Sequence, residues 1–97
     1  MKRLPIEVGS IVYSKAGRDV GRPFLVVQEI NEDFVLVADG KLRTMDRLKT
    51  KRRKHLKPTG VVVEDARNRL TEGKSVFDHE VRAWLSKEEG KACRSPM

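Results

Sequence analysis

The sequence predicts a mainly β protein: a small curled barrel of five short strands over residues 1–59, then one or two helices over residues 60–97 that pack on it, with a polar tail from about residue 90. Three observations lead there. The apolar runs Ile11-Val12-Tyr13, Phe24-Leu25-Val26-Val27 and Phe34-Val35-Leu36-Val37-Ala38 are short, rich in β-branched and aromatic residues, and bounded by Gly, Pro, Asn and Asp, which is the composition of strands and turns. Five such pieces in so few residues favour a curled sheet over a flat one. The second and third runs are apolar on both faces, whereas a half-exposed antiparallel strand alternates. A second layer must therefore cover the outer face.

Taken in order, residues 8–13 form the first strand, entered at Gly9. Residues 15–22 make a loop with two glycines and three cations, more than a tight connection needs. Pro23 has no N–H for a ladder, so it begins a strand or sits on an edge, and residues 24–30 are the second strand. Asn31-Glu32-Asp33 is a polar turn of hairpin length. Residues 34–38 form the third strand. Asp39-Gly40 then has the residue types of a type I′ turn, returning the chain as a fourth strand over residues 41–45. A short fifth strand fits near residues 54–57.

The C-terminal third supplies the covering layer. Val62 or Val63, Ala66 and Leu70 share one helical face between Thr59 and Glu72, closed by Gly73. Ser75, with Asp78 three residues on, is a variant capping box. It opens a second helix whose Phe77, Val81, Trp84 and Leu85 fall on one face, and which Gly90 ends.

With 97 residues the chain is one domain. A domain of this size buries only about 60 to 65% of its unfolded surface, which leaves little room for a deep catalytic cleft. Its apolar runs are far shorter than the ~18 residues of a membrane span, and Lys2 and Arg3 are followed by Pro5, Glu7 and Gly9 rather than a signal-peptide core. The single cysteine, Cys93, offers neither a disulfide framework nor a zinc thiolate pair. A reducing cytoplasm is the expected location, with no membrane partner, small-molecule substrate or cofactor, and a monomer is favoured. His55 and His79 lack companions at metal-ligand spacing. The hydroxyls of Ser10, Ser14, Thr44 and Thr59 read as strand or turn residues, since no nucleophile with base and orienting group is visible.

Charge is the most informative bulk property because it is unevenly spread. The net charge is +7, and residues 1–60 hold 14 Lys/Arg against 7 Asp/Glu, whereas residues 61–97 hold 7 of each. Arg47, Lys49, Lys51, Arg52, Arg53, Lys54 and Lys57 put seven cations into eleven residues with no acid. Such density repels itself unless an anion lies against it. RNA, DNA or an acidic surface is the natural partner, and a solvated basic run is the plain structural alternative.

The order of strand, Ala16-Gly17-Arg18-Asp19-Val20-Gly21-Arg22, β-run, polar turn, β-run ending Asp39-Gly40, then Lys51-Arg52-Arg53-Lys54-His55-Leu56-Lys57-Pro58-Thr59 resembles the KOW-domain ribosomal proteins of the L-fourteen-e and L-twenty-seven-e type. It is most similar to their short stand-alone bacterial members, over residues 7–59. The resemblance implies an SH3-like five-stranded barrel that binds ribosomal RNA and has no catalytic role. By motif position it implies contacts from Lys15, Gly17, Arg18, Gly21 and Arg22 in the loop and from Lys51, Arg52, Arg53, Lys54 and His55 in the basic run. The family often has lysine where this chain has Arg22, and Pro23 is a departure.

Arg43, Arg47, Lys49 and Lys57 extend the expected RNA surface on charge alone. Lysine and arginine bind phosphates by counterion release, and the planar forks of Arg18 and Arg22 can take a phosphate bidentately or lie on a base. Readers of unpaired bases usually offer a row of rings, whereas this chain has five aromatics in all, and Tyr13 beside the loop is the candidate stacker. Recognition of folded RNA by backbone and shape, on the ribosome or in translation, is the expectation. The alternatives are a protein-interaction module docking an acidic transcription or ribosome-associated factor and, more weakly, DNA binding.

Overall fold

Two apolar clusters, one on either face of a single antiparallel sheet, hold the chain together. The computed structural model describes residues 6–94, so Lys2, Arg3 and the last residues of the polar tail lie outside the described residues. The strands are β1 (Ser10–Ser14), β2 (Pro23–Glu29), β3 (Phe34–Ala38), β4 (Lys49–Arg52) and β5 (Leu56–Val62), followed by helices α1 (Glu64–Thr71) and α2 (Asp78–Arg94). Sheet order is β4-β3-β2-β1-β5, the meander of a small barrel with its last strand returned beside the first.

Successive strand residues point to opposite faces, and the clusters follow that rule. Val12, Phe24, Val26, Val35, Val37 and Leu56 fill the interior. Ile11 and Leu25, their neighbours in sequence, face outward under Ala66 of α1, Val76, and Val81 and Leu85 of α2, with Trp84 and Met45 alongside. The expected second layer therefore exists. It covers β1 and β2, and leaves Phe34 and Leu36 of β3 half-buried. Pro23 begins β2 as its missing N–H requires. A register shift between Val26 and Gln28 bends β2, as bulges do, and lets the short sheet curl.

Four local expectations are corrected. Residues 41–45 do not form the fourth strand. A type I′ turn needs positive φ at both central residues, but among the described residues only glycines have it. Asp39 Oδ1 instead accepts from the N–H groups of Lys41 and Arg43, both at 2.8 Å, closing a wider loop, and the strand resumes inside the basic run with Phe34 opposite Arg52 and Val37 opposite Lys49. The first helix does not reach back to Thr59, because β5 runs on to Val62. It does end at Gly73, whose φ is +77°. There the N–H of Lys74 reaches Arg69 O at 2.7 Å and that of Gly73 reaches Leu70 O at 3.3 Å, the paired bonds of a Schellman cap.

The second helix opens two residues later than the Ser75 pattern implies. Phe77 holds the N-cap position, and Glu80 reaches back to its N–H at 3.2 Å, the acid half of a capping box. Phe77 thus precedes the helical periodicity and is 57% exposed, while Val76 is buried in its place. Gly90 does not end α2, which continues to Arg94; a glycine costs a helix only about 1 kcal/mol, and Glu88, Glu89, Lys91 and Ala92 around it are helix formers.

Polar contacts help dock the helices. Arg69 of α1 bonds Asp65 at 2.7 Å and Glu80 of α2 at 2.6 Å. Arg82 Nη1 donates to Gly40 O at 2.6 Å, and a Cβ on Gly40 would lie 2.6 Å from Asp78 O. Gly40→Ala should therefore destabilise by about 2–4 kcal/mol, strain plus displacement of α2, whereas Gly73→Ala, with equal φ and open space, should cost about 1 kcal/mol. Urea unfolding of the two variants checks this, and equal losses would contradict the close approach of α2.

The side-chain bond from Arg69, then the Phe77 N–H, holds the Glu80 carboxyl below its ordinary 4.5. A carboxylate depressed in the folded state stabilises above its unfolded pKa and loses that contribution as pH falls through the folded one. The stability gap between the native chain and Glu80→Gln, followed by urea midpoints, should be constant well above pH 4.5 and close as the pH is lowered beneath it.

Candidate nucleic-acid interface

The pairing of β1 with β5 sets Ser14 opposite Leu56 and Tyr13 opposite Lys57. One residue further, the N–H of Lys15 donates to His55 O at 2.7 Å. The glycine loop therefore starts against the 3₁₀ turn Arg53–His55 that carries the middle of the basic run. On the turn's other side the N–H of Arg53 donates to Asp33 O at 2.8 Å, tying it to the β2–β3 connection. Between these ties lies an open groove lined by Ile6, Lys15, Phe34, Arg52, Lys54 and Lys57, with Glu32 and Asp33 among its walls. Lys15, Arg52, Lys54 and Lys57 are exposed there.

The loop itself is closed by backbone bonds. Gly21 N–H reaches Ser14 O at 2.9 Å and Ser14 N–H reaches Arg22 O at 3.0 Å, while Ser14 Oγ donates to Ala16 O at 2.9 Å. Gly17 and Gly21 have φ of +80° and +84° with nothing within 4 Å of a would-be Cβ. They are required by the path of the backbone, not by packing. Arg18 and Arg22 stand exposed on this loop.

The other basic residues of the expected contact set have different surroundings. Lys51 lies opposite Val35 and so points inward. It is 9% exposed, donates to Ser14 Oγ at 3.2 Å, and sits 5.6 Å from the Phe24 ring centroid. Arg53 is a clamp: its guanidinium donates to Asn31 O at 3.0 Å, Ile6 O at 2.8 Å and Glu29 Oε1 at 2.8 Å. Lys49 and His55 are half-buried. Arg43 and Arg47 are exposed on the loop of residues 39–48, which is fastened to α2 through Gly40 and through the Met45 N–H on Asp78 Oδ1 at 2.7 Å. Tyr13 is half-buried in mid-sheet between Pro23 and Lys57. Among the described residues no group of His, Cys, Asp and Glu gathers as a metal site, and no helix is long and apolar enough to cross a membrane.

One pair escaped the sequence reading. Arg52 Cζ stands 5.3 Å from the centroid of the Phe34 ring. Only the register of β4 reveals it, and Lys-Thr-Lys-Arg carries no strand signal.

No family model matches the chain. Among curated proteins it is similar to the large ribosomal subunit protein eL14 of Staphylothermus marinus, 36% identical over 62 residues, which is 64% of this chain and 65% of that protein. The eL14 of Desulfurococcus amylolyticus is 41% identical over 54 residues, 56% of each chain. The eL14 of Metallosphaera sedula is 36% identical over 85 residues, 88% of this chain and 80% of that protein. The chain thus spans less than two thirds of the first two relatives and four fifths of the third. The last match is longer than the 7–59 segment that carries the resemblance in sequence.

The sorting of cations has a direct test in stability. Arg53→Ala removes three charge-assisted bonds at a site one quarter exposed and should cost about 1–2 kcal/mol. Lys54→Ala, one residue away and exposed, should stay within about 0.5 kcal/mol of the parent. Urea midpoints of the pair measure the difference, and equal values would refute the clamp.

Proposed function

The chain belongs to the family of the large ribosomal subunit protein eL14, and from that premise we propose that it associates with ribosomes in the cytoplasm by binding folded ribosomal RNA along the groove between its glycine loop and its basic turn. The observation that carries this reading is the Lys15–His55 backbone bond, which makes the two basic segments neighbours. Lys15, Arg52, Lys54 and Lys57 would take phosphates by counterion release, with Arg18 and Arg22 reaching outward from the loop, and Gly17 and Gly21 letting its backbone come close to the polymer. His55 holds the loop through its carbonyl. Arg43, Arg47 and Lys49 would add charge outside the groove, and Lys51 and Arg53 support the groove without touching RNA. The chemistry is binding: fixed cations around a compact β scaffold, reading backbone and shape more than bases.

About four phosphate contacts give a log–log salt slope near −3 to −4. Lys54→Ala and Lys57→Ala should each weaken binding to a structured ribosomal RNA fragment and lower the slope by about 1, measured by titration at several salt concentrations. In lysate, the protein should sediment with ribosomes on a gradient and leave those fractions after RNase treatment. Sedimentation that survives RNase, or affinity independent of salt, would overturn the reading.

A further inference from the structure

We propose that Arg52, backed by Phe34, is a stacking plate for a single unpaired nucleobase, so that the preferred RNA carries a bulged or extruded nucleotide at this groove. The proposal rests on the RNA-binding reading above and names the element of RNA recognised. Arg52 and Phe34 are direct partners across β4 and β3, with the guanidinium carbon 5.3 Å from the ring centroid, inside the range of a cation–π contact. The chain beside it is held in place. The next residue, Arg53, is bound to Asp33 O by its N–H and to Asn31 O, Ile6 O and Glu29 by its side chain.

Arg52 itself is exposed, and none of the ion pairs among the described residues engages it. Its guanidinium therefore lies against a ring at an exposed position. A cation needed only for a phosphate has no use for a ring beside it, and Lys15, Lys54 and Lys57 in the same groove already supply point charges. A guanidinium held near a ring, beside phosphate-binding cations, suits an unpaired base, since bases splayed from a helix stack on guanidinium planes as they do on rings. A paired helix presents no such face. The groove thus combines backbone binding with one stacking position, in a chain otherwise poor in exposed rings.

The test compares a fully paired RNA hairpin with the same hairpin carrying one bulged 2-aminopurine. The native protein should favour the bulged RNA by about tenfold and change the fluorescence of its probe. Arg52→Lys keeps the charge and loses the plane. The ratio of its affinities for the bulged and the paired hairpin should fall to about one. Phe34→Leu, with folding checked by circular dichroism, should lose the preference in the same way. Arg52→Lys retaining the preference, or the native protein binding both hairpins equally, overturns the plate and leaves RNA binding standing. A native protein that binds neither hairpin overturns both.

Discussion

The whole interface depends on β1 being paired along both edges. This five-residue strand bonds β2 on one side and β5 on the other. Its alternate residues enter the two apolar clusters, Val12 in the interior and Ile11 beneath the helices. Without the β1–β5 ladder the glycine loop and the 3₁₀ turn would not be held against each other, because their contact is the next bond beyond that ladder. The pairing is also the most distant in sequence within the sheet. Its formation must absorb a long loop closure before any contact rewards it, so the groove is completed only when the barrel is.

Strand geometry then divides a uniform-looking basic run into three roles. A period of two sends Lys51 inward and Arg52 outward, and the turn that follows aims Arg53 at the β2–β3 connection. A buried ammonium needs company, and Lys51 has the Ser14 hydroxyl and the Phe24 ring. Lys51 and Arg53 therefore hold together the surface that their neighbours present. Charge density along the sequence measures the sum of these roles and is silent on their division.

What was legible follows from which physical signals are local. The first three strands, the second layer, the start of β2 at Pro23 and the closure of α1 at Gly73 each rest on residues whose chemistry admits few conformations. The resemblance to a ribosomal-protein family was legible in the loop and basic segment, and the relative matched over 88% of this chain bears out that family. The fourth strand was not legible, because Lys49, Thr50, Lys51 and Arg52 have the composition of a solvated loop and earn their strand only by pairing with β3. The entry to α2 was hidden for a related reason. Ser75 is a better N-cap residue than Phe77 in isolation, but Asp78 is engaged with Met45 and Glu80 with Phe77 and Arg69. Those partners are set by the tertiary fold.

The order β4-β3-β2-β1-β5 leaves β4 and β5 as outermost strands. An unprotected margin of this kind can template the addition of a strand from another molecule. Here one margin reads Lys-Thr-Lys-Arg, and the other carries Lys57 and the donorless Pro58. Like charges oppose each other when two copies approach along β4, and proline interrupts any new ladder on β5. The composition of both margins thereby opposes strand addition between copies.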